Sequence, residues 1–302
     1  MLLTKEKLNF IPLTLSDAIS IRKFFPVSPV HACDYTFGCF FMWRDHYSVK
    51  ICERNGALLS SLTGEDGNTY YNLPLAANTD GIISAIKDIV ELSIDSTVRF
   101  YTVTEEHLDF FKTAFPTCKI QEQPEHFDYI YNAKDLTELY GKKYAGQRNM
   151  LHQFLRQCKT HEYKPVTADN VKDVIAFFSD TYLKTTNALY HSEEEENKKT
   201  LEVLNNFDLY GFFGGALYAD GKIVGFSLGE RVGDTVFVHI EKADRTVKGA
   251  YQTVVNEFAK NFAKDAAFIN REDDMGDEGL KTSKLSYHPV KLLKKYTVII
   301  KK

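Results

Sequence analysis

Two residues in the C-terminal half of the chain could move protons. His239 and Glu241 lie two positions apart in Thr235–Glu241, a segment whose alternating residues predict a strand. Because alternate side chains of a strand point to one face of a sheet, we expect this imidazole and this carboxylate to lie side by side. Such a pair can carry out proton transfer, or it can be an ion pair that only stabilises the sheet.

A second polar group follows the next predicted strand. Asn270 and Arg271 stand where that strand ends, and ligands of open α/β sheets bind at strand ends. Arg271 could hold a carboxylate or a phosphate through two parallel hydrogen bonds. The acid-rich stretch from Glu272 to Glu278 does not have the spacing of a calcium-binding loop. We therefore expect no metal site there and interpret the stretch as a solvated turn.

The loop Arg245-Thr246-Val247-Lys248-Gly249-Ala250 connects the first of these strands to a helix whose apolar residues recur at helical spacing. Backbone amides at the start of a helix can bind a pyrophosphate. Arg245 and Ala250 suit such a loop, but Lys248 stands where a glycine would let the backbone approach the phosphate, and Gly249 follows it. A loop that only caps the helix is the alternative.

Helical spacing recurs after the acid-rich turn, at Lys281, Lys284, Tyr287 and His288. The two lysines are expected to form a surface stripe. The phenol of Tyr287 either belongs to the core of an amphipathic helix or donates a proton to a leaving group.

Basic residues are concentrated in the C-terminal half. Residues 1–135 carry 12 lysines and arginines against 18 acids, residues 136–302 carry 25 against 23, and 281–302 hold seven lysines and no acid. The basic segment that joins the halves contains Arg148 and Asn149, which are candidate substrate contacts. These residues form either a basic rim for an anionic partner such as tRNA or a solubilising surface.

The composition is that of a globular protein and not of a disordered or membrane-spanning one. Of the 302 residues, 44% are hydrophobic and 26% are charged. No apolar run is long enough to cross a membrane, and residues 1–6 do not begin a secretory signal. Five cysteines without a C-x-x-C pair indicate free thiols and a cytoplasmic location.

The same order of elements is predicted twice: three antiparallel strands, a helix, a strand, a helix and a strand. In the N-terminal half these elements span 47–53, 57–63, 69–73, 79–92, 98–103, 104–116 and 127–132. In the C-terminal half they span 209–219, 222–231, 235–241, 247–264, 266–270, 278–288 and 296–300. We therefore predict an α/β (α+β) protein of two similar domains, residues 1–135 and 136–302, each a mixed sheet flanked by helices.

Several segments resemble a bacterial family related to the C-terminal domain of phosphatidylglycerol lysyltransferase. They are Asp34-Tyr35-Thr36-Phe37-Gly38, Arg148-Asn149, His239-Ile240-Glu241-Lys242, Gly249-Ala250-Tyr251-Gln252, and Asn270-Arg271-Glu272-Asp273-Asp274-Met275-Gly276 through Lys284-Leu285-Ser286-Tyr287. The resemblance implies a tandem GNAT fold of the Fem type. Related enzymes move an aminoacyl group from aminoacyl-tRNA to an amine or a hydroxyl. The sequence has no counterpart of the membrane-spanning region of the lysyltransferase.

What the resemblance implies for mechanism is an aminoacyl or acyl transfer. Glu241 or His239 would receive the proton of the acceptor, and Tyr287 would return one to the leaving 3′-hydroxyl. Backbone amides near Gly249 and Ala250 would polarise the acyl carbonyl.

The residues expected to bind substrate are more numerous than the three expected to carry out the chemistry. They are Arg148, Asn149, Lys242, Gly249, Ala250, Asn270, Arg271, Glu272, Lys281 and Lys284. We expect no metal, aminoacyl-tRNA as the donor, and a small molecule, a peptide or a lipid headgroup as the acceptor. One alternative is an acetyl-CoA-dependent N-acetyltransferase, which Lys248 disfavours. The other is a non-catalytic protein that binds a small ligand or a partner.

Overall fold

The computed structural model describes residues 7–25, 32–184 and 191–302. The chain divides into two compact units: Met1–Asp128 with Leu293–Lys302, called the first unit below, and Tyr129–Leu292, called the second unit. The described residues form two seven-stranded mixed sheets flanked by helices, which confirms the predicted fold class. Residues 1–6, on which the expected absence of a secretory signal depends, lie outside the described residues.

The first unit contains a sheet in the strand order β1-β2-β3-β4-β5-β14-β6. Its strands are β1 (Ile11–Pro12), β2 (Lys50–Arg54), β3 (Ala57–Thr63), β4 (Thr69–Tyr71), β5 (Thr97–Thr104), β6 (Lys119–Glu122) and β14 (Lys295–Lys301). Its helices are α1 (Ala18–Arg22), α2 (Phe37–Met42), α3 (Thr79–Leu92) and α4 (Leu108–Ala114). Side chains cap two of these helices: Thr36 accepts from the Cys39 amide and Asn78 accepts from the Gly81 amide.

The sheet of the second unit has the order β13-β7-β12-β11-β10-β9-β8. Its strands are β7 (Asp128–Asn132), β8 (His161–Pro165), β9 (Phe213–Ala219), β10 (Lys222–Val232), β11 (Thr235–Ala243), β12 (Phe268–Asn270) and β13 (Lys291–Leu293). Its helices are α5 (Ala133–Glu138), α6 (Ala145–Gln157), α7 (Val171–Phe178), α8 (His191–Asn205), α9 (Phe207–Tyr210), α10 (Ala250–Phe262) and α11 (Glu278–Leu285), with a π-helical turn over Ser179–Leu183. Among the described residues, no helix combines the length and the apolar character that a membrane crossing requires.

The last strand of each half lies in the sheet of the other half. The final predicted strand forms as β14, but it pairs with β5 and β6 of the first unit. Conversely, β7, the last strand of the N-terminal half, pairs with β12 in the second unit. The assignment of residues 296–300 to the C-terminal domain is therefore wrong, because a β-branched run predicts a strand without predicting its neighbours.

A buried ion cluster holds the start of β14 within the first unit. The Lys295 ammonium is fully buried and lies 2.5 Å from an Asp34 oxygen and 2.6 Å from an Asp128 oxygen. The second Asp128 oxygen accepts a 2.7 Å hydrogen bond from the Cys33 amide. The fully buried Lys295 ammonium and Asp128 carboxylate are stable only while their partners remain, so this cluster specifies where β14 pairs.

The second sheet opens along one edge of β11. β11 and β12 run parallel and pair only from Thr235 with Phe268 to Phe237 with Asn270. β12 then ends, whereas β11 continues to Ala243. The residues beyond Asn270 thus no longer pair with β11 and lie beside the continuing strand.

Loss of the Lys295 charge should destabilise the protein strongly. Lys295→Ala leaves two carboxylates without their cation, which is expected to lower the free energy of unfolding by about 3–5 kcal/mol. Lys301→Ala, at the exposed end of the same strand, should cost no more than about 0.5 kcal/mol. Urea denaturation of both variants measures the difference, and equal losses would contradict the role of the cluster.

Candidate functional site

β11 contains a β-bulge at His239. In the pairing with β10, Leu228 lies opposite Ile240 and the next residue of β10 lies opposite Val238, so His239 has no partner on β10. One extra residue on a strand shifts the alternation of its side chains. The prediction that His239 and Glu241 share a face is therefore wrong, and these side chains lie on opposite faces of the sheet.

Packing distinguishes the two faces of β11. Val238 belongs to the apolar cluster that α10 covers, and Ala243 belongs to the neighbouring cluster on the same helix. Glu241 lies on this side, which we call the α10 face. His239 stacks on Phe212 with ring centroids 5.0 Å apart, and we call its side the opposite face.

Glu241 and Arg271 form an ion pair on the α10 face. Arg271 Nη2 donates to Glu241 Oε1 at 2.6 Å, and the two side chains are only 9% and 16% exposed, arginine first. The guanidinium carbon lies 4.8 Å from the ring centroid of Tyr287 and 5.8 Å from that of Tyr131. Burial alone would lower the pKa of Arg271, but the charge and hydrogen bond of Glu241, together with the phenols of Tyr131 and Tyr287, raise it. The guanidinium is therefore held charged between a carboxylate and two aromatic rings.

One nitrogen of Arg271 lacks a protein partner. Nη1 is buried and forms no hydrogen bond with the described residues. A buried N–H without an acceptor costs about 1–3 kcal/mol, and more for a charged donor. This nitrogen is thus prepared to donate to an oxygen that the protein itself does not supply.

Tyr287 completes the group on the α10 face. Its side chain is 3% exposed, and burial raises the pKa of the phenol above its ordinary value of 10.0. Within the described part of the chain, its hydroxyl forms no hydrogen bond. Tyr144 Oη donates to the Tyr287 carbonyl at 3.1 Å and so fixes the backbone behind the ring. The phenol is a protonated donor at neutral pH.

His239 occupies a different environment on the opposite face. Its side chain is fully buried, with Nδ1 2.7 Å from Glu272 Oε1 and Nε2 2.9 Å from Glu230 Oε1. Burial would lower the pKa of His239, but the hydrogen bonds to these two carboxylates outweigh burial and raise it to about 9. At neutral pH both ring nitrogens donate, so His239 has no lone pair with which to accept a proton.

The turn after β12 sends consecutive side chains to the two faces. Glu272 has a φ of 58°, in the left-handed region that a non-glycine residue rarely adopts. The buried Asn270 Oδ1 accepts from the Glu272 amide at 2.7 Å. Arg271 therefore meets Glu241 while the next residue meets His239. The sheet therefore separates the Glu241–Arg271 pair from the His239–Glu272 pair.

Lys284 holds this turn and is not part of a surface stripe. Its Nζ donates to the Arg271 carbonyl at 2.6 Å and to the Asp273 carbonyl. Burial lowers the pKa of Lys284 below its ordinary value. Lys281 is exposed and pairs with Glu278 at 3.3 Å, as the surface interpretation predicts.

Other candidate residues have structural partners away from this group. Arg148 donates to the carbonyls of Leu139 and Gly141, the latter at 2.7 Å. Lys242 Nζ lies 2.6 Å from Glu196 Oε1 on α8. Asn149 is exposed on α6. The structure thus does not bring these three residues to the Glu241–Arg271 pair.

The start of α10 is packed against α6. A Cβ at Gly249, whose φ is 80°, would lie 2.1 Å from the Met150 carbonyl oxygen. The Ala250 amide donates to the Val247 carbonyl at 3.1 Å, and Gln157 donates to the Lys248 carbonyl at 2.7 Å. These contacts favour the interpretation of the loop as a helix cap and leave the Ala250 amide occupied.

Sequence reasoning missed three contributors. Tyr131, on β7, lies beside Arg271, but its strand had been assigned to the other domain. Glu230 lies in β10, and the only feature of the sequence that could have identified it is a charged residue inside a predicted strand. Tyr182, in the π-helical turn, donates to the Ala243 carbonyl at 2.7 Å and accepts from the Ala243 amide at 3.0 Å.

The lysine-rich segment 281–302 does not present seven free charges. Five of its lysines are buried or held by an oxygen partner: Lys281 by Glu278, Lys284 by two carbonyls, Lys294 by Glu122, Lys295 by Asp34 and Asp128, and Lys302 by the Ser93 carbonyl. The segment also belongs partly to each unit. A basic rim built from this segment is therefore not supported.

The chain is similar to several known proteins. A family model described as "Phosphatidylglycerol lysyltransferase, C-terminal" matches residues 25–299. A conserved protein of unknown function from Bacteroides thetaiotaomicron is 29% identical with a TM-score of 0.87, covering 97% of this chain and all of that one. L-PGS from Bacillus licheniformis is 15% identical with a TM-score of 0.65, covering 94% and 92%. The uncharacterized protein MYCGA3080 of Mycoplasmoides gallisepticum is 25% identical over 223 residues, or 72% of this chain and 70% of that relative.

The His239 pKa should fall when one carboxylate is removed. Glu230→Gln or Glu272→Gln is expected to lower it by about one unit or more, because each carboxylate stabilises the imidazolium. Protonated His239 stabilises the folded protein fully at pH values below 6.5, its ordinary pKa. This stabilisation is lost as the pH rises through about 9. Histidine ring NMR during a pH titration measures the pKa. Glu278→Gln, an exposed control, should leave it unchanged, and an equal shift in all variants would contradict the assignment.

Gly249→Ala should destabilise the protein more than Gly141→Ala. Both glycines have a positive φ, 80° and 88°, so alanine strains the backbone at each site. Only at position 249 does the new methyl also meet a carbonyl oxygen. Thermal unfolding compares the variants, and equal melting temperatures would indicate that the start of α10 is open and free to bind a ligand.

Proposed function

Because the chain belongs to the family of the phosphatidylglycerol lysyltransferase C-terminal domain, we propose that it is an acyltransferase. The group that it moves is an aminoacyl group, carried as an ester on tRNA and transferred to an amine or hydroxyl acceptor. The observation that carries this proposal is the buried Glu241–Arg271 pair, whose unpartnered Nη1 lies on the same face as Tyr287.

Glu241 is the general base in this proposal. One of its carboxylate oxygens is held by Arg271 at 2.6 Å, which fixes the orientation of the group. The other oxygen takes the proton of the acceptor amine or hydroxyl as the nucleophile attacks the ester carbonyl. His239 receives no such role, because both of its nitrogens already donate to carboxylates.

Arg271 stabilises the charge that develops on the carbonyl oxygen. Addition of the nucleophile places a negative charge on that oxygen, and a preorganised donor in a buried site lowers the barrier. The Nη1 group meets this requirement, whereas the Ala250 amide already donates to Val247. We therefore assign the polarising role to Arg271 in place of the amides at Gly249 and Ala250.

Tyr287 completes the transfer as the general acid. When the tetrahedral intermediate collapses, the bond to the ribose oxygen breaks and the phenol donates its proton to that leaving oxygen. The proton that Glu241 removed returns to the phenolate through solvent, so the enzyme ends unchanged. The raised pKa of Tyr287 keeps the phenol protonated until negative charge develops on the leaving oxygen.

Acetyl-CoA has less support as the donor. A pyrophosphate at the start of α10 would need backbone donors that approach it closely, but Gly249 packs on Met150 and Lys248 precedes it. The end of β11 is also covered, since Tyr182 holds both backbone groups of the buried Ala243. The tRNA donor rests on family membership and not on a basic surface.

Replacement of Glu241 or Tyr287 should abolish transfer without unfolding the protein. Glu241→Gln and Tyr287→Phe are each expected to lower the rate by about 100-fold or more, as loss of a general base or acid does. Glu278→Gln, an exposed carboxylate on α11, is the matched control and should keep the full rate. Mass spectrometry of the protein with charged tRNAs and a panel of amines and alcohols detects the product.

Two results would contradict the proposal. Transfer that continues at the normal rate in Glu241→Gln and Tyr287→Phe would place the chemistry elsewhere. Product formation from acetyl-CoA and an amine, with none from charged tRNA, would favour the acetyltransferase.

A further inference from the structure

The turn that carries Arg271 no longer pairs with β11 and keeps two backbone hydrogen bonds to Tyr129 of β7. β12 ends at Asn270, and the following residues are held by single contacts. The Arg271 amide donates to the Tyr129 carbonyl at 3.1 Å, and the Tyr129 amide donates to the Glu272 carbonyl at 3.1 Å. Lys284 adds the bond to the Arg271 carbonyl. The direction of the Arg271 side chain thus depends on a few contacts to its neighbours.

Glu272 is the strained residue of this turn. A left-handed φ in a residue other than glycine is unfavourable and persists only where the surroundings determine it. The Glu272 carboxylate is held by His239 Nδ1 at 2.7 Å. Lys284 and Asp273 also act on it through their charges. Its side chain therefore opposes relaxation of the turn.

His239 connects this turn to the body of the sheet. Its two ring nitrogens bind carboxylates from separate segments, Glu230 on β10 and Glu272 on the turn. The charged groups that act on the imidazole are these same two carboxylates. Phe212 and Phe237 cover its ring, at centroid distances of 5.0 and 6.5 Å. The bulge places the imidazole where it can meet both acids.

We propose that His239 is a positioning residue, whose imidazolium ties Glu272 to Glu230 and thereby fixes the turn that directs Arg271 towards the substrate. This inference rests on the proposed role of Arg271 but concerns a residue on the other face of the sheet. A neutral imidazole can donate only one proton, so one of the two carboxylates loses its donor on deprotonation. The turn is then free to relax from its left-handed conformation.

The pH dependence of this tie has a definite sign. The doubly donating form is present below a pKa of about 9 and is lost as the pH rises through that value. Lys284 also faces the turn and titrates, with its pKa lowered by burial. A variant that changes only the imidazole environment is therefore required to separate the two groups.

The test observes the Arg271 guanidinium in the full chain, without any substrate. Protein labelled with ¹⁵N-arginine gives one Nε–H signal for each ordered arginine, and Arg271→Lys identifies the signal of Arg271. In the natural protein this signal should persist to a pH of about 9 and then broaden. In His239→Gln it should be broadened already at pH 7, whereas His152→Gln, an exposed histidine on α6, should behave as the natural protein does. In Glu272→Gln, whose amide oxygen can still accept from the imidazolium, it should broaden at a pH lower by about one unit or more.

Glu230→Gln keeps the proposal testable if the other variants fail to fold. Loss of this carboxylate lowers the His239 pKa but keeps the bond to Glu272 at neutral pH. The Arg271 signal should then be normal at pH 7 and should broaden at a pH lower by about one unit or more. An unchanged midpoint, or a normal Arg271 signal in His239→Gln, would overturn the proposal.

The NMR result is independent of catalysis. If Arg271 responds as expected but Glu241→Gln still transfers normally, the positioning role stands and the proposed function fails. If transfer depends on Glu241 while Arg271 ignores His239, the function stands and the positioning role fails.

Discussion

One extra residue in β11 decides where each charged group of the second unit lies. A strand places alternate side chains on alternate faces, so an unpaired residue at His239 moves all later positions to the other face. Glu241 is thereby placed with Arg271 on the α10 face, and the imidazole is left with its two carboxylates on the opposite face. Without the bulge, Glu241 would face His239 and its acids, and Arg271 would have no counter-ion there.

The charged groups on the two faces of the sheet differ in how completely they are hydrogen-bonded, although both groups meet at the turn after β12. A buried charge is tolerated only when it is paired and hydrogen-bonded, and on the opposite face each partner of His239 meets this condition. On the α10 face, Arg271 keeps one donor without an acceptor. The second unit thus combines a network whose hydrogen bonds are all satisfied with an ion pair that keeps one donor without an acceptor. Lys295 follows the first pattern in the other unit, where its charge is fully compensated.

Local sequence patterns predict which segments form strands and helices better than they predict which strands pair with each other. Alternation and helical spacing located β3, α3, β10 and α10 to within a few residues, because these elements are encoded by adjacent residues. The exchange of β7 and β14 between the sheets depends on contacts such as Lys295 with Asp128, which are far apart in sequence. Arg271, Glu241 and Tyr287 were predicted as site residues from their types and positions in the chain, and the structure places them together on the α10 face. The bulge was not, since a single unpaired residue leaves the hydrophobic pattern of β11 intact.

The central claim is that a ligand binds on the α10 face, with its carbonyl oxygen at Arg271. A crystal structure of the protein soaked with a 3′-aminoacylamino-adenosine, in which a stable amide replaces the tRNA ester, tests this directly. We expect density for the amide carbonyl within hydrogen-bond distance of Arg271 Nη1, with Tyr287 beside the ribose 3′-nitrogen. Density against the start of α10 near Gly249, or against His239 on the opposite face, would contradict it.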